Sequence, residues 1–423
     1  MARGEIVLHV ESVGARGDGV AHLDGEPIFL PFTAPGDVVR ARVGERRGDG
    51  SSGAVVAFVA RGARAEPSCP HFGLCGGCAL QHLAPETYAA TKLAWLAAAL
   101  RQHGLATDGI LPLLRLPAGT RRRARFAIQR PRAGPAEIGF HARASHRVVD
   151  MRRCDVLHPA LAALVGALRG VAPSLFAPGT KGAATATLAE TGIDLLLDLA
   201  APPALASLET MAAFAAAQDL ARLHWRVAGE APTPAAQRRP VRITFAGVAV
   251  DLPDEAFVQA SAEADAALVA AVLERVGAAR RVADLFAGIG NFSFALGARA
   301  IVHAVDGSGP AIDALRAAAT RAGLAQRVTC EQRDLEQRPL QLAELARFDA
   351  VVFDPPRAGA RAQSAALAAS GVNRVVAVSC NQATFARDAR TLVDGGFRMG
   401  SVQPIDSFIW SPHLELVAAF SRD

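Results

Sequence analysis

From about residue 241 onward, short apolar, β-branched runs alternate with alanine-rich stretches of helical character, and this alternation constrains the fold more than any other feature. The runs cover residues 282–286, 301–306, 327–330, 350–354 and 374–379. Strands without a polar side are buried on both faces, so they pair in parallel and need crossover helices between them. The pattern predicts an α/β unit over residues 241–423, Rossmann-like, with an open, doubly wound, mostly parallel sheet. Its ligand crevice would lie outside the C-terminal ends of the strands.

At 423 residues the chain exceeds what one core organises, so further domains are expected. Residues 1–62 read as short strands separated by turn glycines, among them Gly14, Gly17 and Gly19, which predicts an OB-like β-barrel. Residues 63–240 mix strands with alanine-rich helices, one of them over 85–102, and predict an α+β central domain. The Pro232-Thr233-Pro234 break marks its end. No apolar run reaches the roughly 18 residues of a membrane span, and the N-terminus has no secretory pattern, so a soluble, cytoplasmic monomer is expected. The formal charge is +5. Nearly all the positive charge is arginine, Lys92 and Lys181 being the only lysines, and the guanidinium fork suits phosphate. The run Arg121-Arg122-Arg123-Ala124-Arg125 is a candidate phosphate track, with an ordinary solvated face as the competing reading.

The first run of the C-terminal unit leads into Asp284-Leu285-Phe286-Ala287-Gly288-Ile289-Gly290-Asn291, where the glycines let backbone turn tightly against a ligand. Asp306 ends the second run, placed for ribose hydroxyls, and Asp334 follows the third, placed for an adenine amino group. Acidic groups at successive strand ends favour S-adenosylmethionine over a dinucleotide. The fourth run ends in the rigid segment Asp354-Pro355-Pro356-Arg357, and the fifth in Cys380.

A thiolate at that position can add to C6 of a pyrimidine ring, making C5 nucleophilic toward an electrophilic methyl group. A base must then take the C5 proton, and Glu415, which interrupts an apolar closing strand, is the candidate. A structural cysteine and an exposed edge-strand glutamate are the competing readings. Cys69, Cys75 and Cys78 lie within ten residues, and Cys154 offers a fourth thiol. Four thiolates suit tetrahedral zinc or a [4Fe-4S] cluster, although the spacing fits zinc ribbons poorly.

Three motifs then carry a resemblance: Asp354-Pro355-Pro356-Arg357, Ser379-Cys380-Asn381 with Ala386-Arg387-Asp388 behind it, and His413-Leu414-Glu415. Together they resemble the RNA uracil-C5 methyltransferase family. The resemblance implies that Cys380 is the nucleophile and Glu415 the base. It places the donor on Gln259, Phe286, Asn291, Asp306, Asp334 and Asp354, and the target base near Phe257 and Arg357. It also implies a [4Fe-4S] cluster on Cys69, Cys75, Cys78 and Cys154, with Cys330 left to the core.

Gly17-Asp18-Gly19-Val20-Ala21 and Pro35-Gly36-Asp37-Val38-Val39 resemble the TRAM barrel of the 23S ribosomal RNA branch, so that RNA is the expected partner, with transfer RNA as the alternative. The stretch Asp406-Ser407-Phe408-Ile409-Trp410-Ser411-Pro412 departs from the family's usual Phe-Pro-x-Thr, and Gln382 replaces a common Pro. More distant readings are an RNA cytosine-C5 methyltransferase, which would place a Cys where Arg357 stands, and a non-catalytic iron-sulfur RNA-binding factor.

Overall fold

The computed structural model describes residues 5–422. The expected parallel sheet is present. Its strands are β1 (Arg281–Leu285), β2 (Ile301–Asp306), β3 (Val328–Gln332), β4 (Ala350–Phe353), β5 (Arg374–Ser379), β6 (Arg398–Asp406) and β7 (Glu415–Ser421). They lie in the order 3-2-1-4-5-7-6, with β7 antiparallel to both neighbours. Because side chains alternate between faces, Val282, Val352 and Val376 enter one core, and Ala283, Val351 and Val375 the other. Helices Ala262–Val276, Asn291–Gly297 and Gly309–Arg321 cover the first face through Leu268, Phe294 and Leu315. Helices Arg361–Ala369 and Gln382–Asp394 cover the second through Leu367, Phe385 and Leu392.

The helix Pro85–Gln102, which the sequence groups with the central region, packs instead on this second face through Leu96 and Leu100. The short strand Leu114–Arg115 likewise joins the edge of the C-terminal sheet, parallel to β6. Pro at the first turn starts the helix at no hydrogen-bond cost. Lys92 and Asp406 form a fully enclosed ion pair at the seam, 0% and 1% exposed. Removing either partner alone would strand a buried charge, at a cost of about 3–5 kcal/mol.

Residues 123–237 form a seven-stranded sheet with helices Pro159–Leu175 and Leu205–Ala217 packed on it. The Pro-rich segment expected to be a break is an ordered strand, Thr233–Gln237. It lies at the sheet edge, where Pro234 loses no ladder hydrogen bond to a further strand. The six N-terminal strands form one sheet whose curvature brings Ile6–His9 back toward Gly19–Leu23 around Leu8, Ile28, Leu30 and Val39. Among the described residues no helix is long and apolar enough to cross a membrane.

Candidate active site

The crevice lies at the C-terminal ends of β1, β4 and β5 and the start of β7. Ser379 pairs with Leu416 across the antiparallel β5–β7 ladder. Cys380 is the next residue after Ser379 and Glu415 the one before Leu416, so the two flank the end of this ladder, close enough for the Glu415 charge to act on the thiol. Glu415 is 3% exposed and sits on an interior strand, which removes the exposed-edge reading. Asn381 caps helix Gln382–Asp394, its side chain accepting from Ala383 N at 3.0 Å, so the thiol stands at a helix N-terminus.

Burial first, then the charges of Glu415 and Asp354, push the Cys380 thiol up to about 11, while the Arg357 guanidinium hydrogen-bonds it and pulls the other way. Burial and Asp354 raise Glu415 well above the usual carboxylate range, again opposed by Arg357. Arg357 is thus a cation shared by the thiol and the carboxylate. Its backbone carbonyl accepts from Asn381 Nδ2 at 3.1 Å and Thr384 Oγ1 at 3.2 Å, fixing the residue to the loop that carries Cys380.

Around the other half of the crevice, carboxylates are crowded. Asp284 on β1 is fully buried; Ser293 Oγ donates to its Oδ2 at 2.5 Å, and its Oδ1 has no hydrogen-bond partner. Burial above all, with Asp354 and Asp306 adding repulsion, pushes it up to about 7. Burial likewise raises Asp354 to about 7, and Gln259 Nε2 donates to it at 3.2 Å. Asp306 accepts from the N–H groups of Gly288 at 2.9 Å and Ser308 at 2.7 Å, so it shapes the glycine loop as well as facing it. In that loop Gly290 has φ +98, and a Cβ there would lie 2.7 Å from Phe294. Phe286 adopts φ +60, a strained conformation for a side-chain-bearing residue and one typical of ligand sites. The Asn291 side-chain Nδ2 is buried with no partner beside this loop.

Asp334 is exposed and its Oδ1 caps the turn at Glu336 and Gln337. Phe257 is 67% exposed, on the segment leading to Gln259.

The arginine run does not form one phosphate-tracking face. Arg122 is buried; it pairs with Asp265, and its Nε donates to Gln259 O at 3.1 Å. Arg125 pairs with Asp198 at 2.5 Å, and Arg121 lies over the Phe408 ring. Arg121 and Arg122 tie the central region to the C-terminal unit, whereas Arg125 is exposed and pairs within the central sheet.

Cys69, Cys75, Cys78 and Cys154 line one cavity of about 410 Å³ that reaches Arg357, Phe408 and His413. The loop bearing the first three docks on the segment bearing the fourth. Ser68 Oγ donates to Asp155 at 2.7 Å, and Arg152 N donates to His71 Nε2 at 3.0 Å. Burial pushes the Cys78 thiol up to about 12, and the other three cysteines add to it. Peptide N–H groups of Val156 and Leu157 point at Cys154, and that of Gly77 at Cys75. Among the described residues no three Cys, His, Asp or Glu side chains are grouped to hold a single metal ion.

Three residues that matter here carried little signal in sequence. Lys92 was visible only as a rare lysine, Asp406 as a charge in an apolar strand, and Arg122 as one member of a basic run.

A family model described as tRNA (Uracil-5-)-methyltransferase matches residues 242–422. A Caulobacter vibrioides protein named an uncharacterized RNA methyltransferase is 42% identical, over 98% of this chain and 99% of its own. The Chromohalobacter salexigens 23S rRNA (uracil(1939)-C(5))-methyltransferase RlmD is 36% identical, over 98% of this chain and 89% of its own. The fold is shared with the crystal structure of Pyrococcus abyssi tRNA (uracil-54, C5)-methyltransferase in complex with S-adenosyl-L-homocysteine, at TM-score 0.73 and 22% identity, covering 99% of this chain and 100% of that one. With a relative this similar across nearly the whole chain, the protein belongs to the RNA uracil-C5 methyltransferase family.

Proposed function

We propose that this enzyme methylates C5 of a uridine in 23S ribosomal RNA, using S-adenosylmethionine, with Cys380 as nucleophile and Glu415 as base. The observation that carries the reading is the β5–β7 pairing, whose end brings a thiol and a buried carboxylate together beside one guanidinium. The thiolate adds to C6, and the C5 carbanion equivalent takes the methyl group as the sulfonium leaves as a thioether. Glu415 then takes the C5 proton, and the C6–S bond breaks to restore the ring and the thiolate. Arg357 stabilises the thiolate at the start and end of the cycle.

The donor is a cation at both its sulfonium and its ammonium. Crowded carboxylates held partly protonated by burial, with one oxygen of Asp284 unsatisfied, suit such a ligand. Gln259, Phe286, Asn291, Asp306, Asp334 and Asp354 would line its site, and Phe257 would meet the target base.

The four cysteines fit a [4Fe-4S] cluster. They line one cavity, and peptide N–H groups point at Cys154 and Cys75, which supports this reading. When bound, the cluster would supply a covalent tie between the loop of Cys69, Cys75 and Cys78 and the Cys154 segment. The curled N-terminal sheet would be the TRAM module that, with the central sheet, holds the RNA in the cytoplasm.

The ribosomal assignment is supported by the 36% identity to the 23S enzyme. Mapping 5-methyluridine in ribosomal and transfer RNA from a deletion strain tests it. Loss from transfer RNA alone would replace the ribosomal substrate. Trapping tests the chemistry: Cys380→Ala binds donor without transfer, and Glu415→Gln accumulates a protein–RNA adduct.

A further inference from the structure

We propose that Lys92 and Asp406 are positioning residues that set the loop 407–414, and through it Glu415, for removal of the C5 proton; this rests on the reading of Glu415 as the base. Asp406 ends β6 and Glu415 begins β7, so the loop joins two strands whose register pairs Ile405 with Glu415. Lys92 reaches into this loop from helix Pro85–Gln102. Its Nζ donates to Asp406 Oδ1 at 2.5 Å, to His413 O at 3.0 Å and to Phe408 O at 3.4 Å. An ammonium has three N–H donors, and here three acceptors converge on one nitrogen.

A guanidinium presents its donors as a planar fork and cannot converge them on one point. That geometry accounts for a lysine in a chain that otherwise uses arginine almost throughout, with 45 Lys and Arg together and only Lys92 and Lys181 among them lysine. Tyr88, the sole tyrosine, completes the clamp: its hydroxyl donates to Asp406 Oδ2 at 2.6 Å and accepts from Trp410 N at 2.9 Å. Trp410 is held at φ +58, and its carbonyl accepts from Ala79 N at 2.8 Å and Leu80 N at 3.1 Å. A loop fixed at Phe408, Trp410 and His413 leaves Glu415, two residues beyond, no freedom to withdraw from Cys380.

The test uses the full-length protein and a 23S ribosomal RNA transcript carrying tritium at uridine C5, with Lys92→Met/Asp406→Asn as the principal variant. Removing both charges avoids stranding either one in the core. Tritium release reports proton removal, and labelled methyl in the denaturation-resistant protein–RNA adduct reports the steps before it. The expected result is tritium release slowed roughly tenfold to a hundredfold, methylated adduct accumulating, and donor affinity unchanged. Lys92→Arg should give no rescue, and Tyr88→Phe should shift the same readouts in the same direction by less.

Unchanged tritium release, or a fall in donor affinity parallel to the fall in turnover, would overturn the positioning role. Glu415→Gln run alongside separates the two ideas. If it traps adduct and the double variant and Tyr88→Phe do not, the clamp is wrong and the base assignment stands. If Glu415→Gln traps nothing, the base assignment fails and the clamp fails with it.

Discussion

Cys380 follows the last residue of β5 and Glu415 is the first of β7, and the two lie close enough for the carboxylate charge to raise the thiol. The pairing of Ser379 with Leu416 brings these two strand ends together. In the free protein burial suppresses both ionisations first of all, with the charges of Glu415 and Asp354 adding to it at the thiol and that of Asp354 at Glu415.

That suppression fixes the pH dependence. The Cys380 thiol, at about 11, and Glu415, raised well above its ordinary range, must each lose a proton to act. Turnover at subsaturating RNA should therefore climb with pH and keep climbing toward about pH 11. Alkylation of Cys380, followed by peptide mass spectrometry, should climb over the same range. A flat alkylation profile would show that Arg357 outweighs burial.

The donor-side carboxylates bear on stability. Asp284 and Asp354 titrate near 7 when folded, against about 4 for an ordinary aspartate, so their protonated forms favour the folded state. That contribution is complete below about pH 4 and is lost as pH rises through about 7. The ligand-free melting temperature should accordingly fall between about pH 5.5 and pH 8, and Asp284→Asn should flatten the fall. A slope unchanged by that variant would place the titration elsewhere.

Asp306 holds the glycine loop through a charge-assisted hydrogen bond from Gly288 N and caps its own turn through another from Ser308 N. Asp306→Asn keeps the size but weakens both, and interactions of this kind are worth about 1.5–3 kcal/mol each. Donor affinity by calorimetry should drop at least about tenfold, and the midpoint of unfolding should fall with it.

Arg122 crosses from the central sheet to Asp265 and the Gln259 carbonyl. Arg122→Met would leave Asp265 buried and unpaired, at about 3–5 kcal/mol. It should also weaken donor binding, because Gln259 is the residue that touches Asp354. Denaturant unfolding measured with and without donor separates the two effects.

Cys154→Ala should abolish iron and sulfide incorporation while donor binding persists, since the four-cysteine cavity lies apart from the glycine loop. Stoichiometric zinc in the wild-type protein would replace the cluster assignment.

The sequence by itself determined the C-terminal α/β sheet, because continuous apolar runs can be satisfied only by strands buried on both faces. It also named Cys380, Glu415, Asp354 and Arg357, whose charges the fold brings within reach of one another, since strand ends are local features. What tertiary structure decided was everything that depends on register or on contacts distant in sequence. Only pairing between residues 374–379 and 416–421 makes Glu415 interior and brings it close to Cys380. Lys92 and Asp406 lie 314 positions apart, and no local pattern connects them. The Arg121–Arg125 run read as a candidate phosphate track, or else a solvated face, because composition cannot reveal partners; Asp265 and Asp198 supply them only once the chain has packed. Side-chain periodicity is written into the chain, whereas pairing of distant charges exists only after the core has formed.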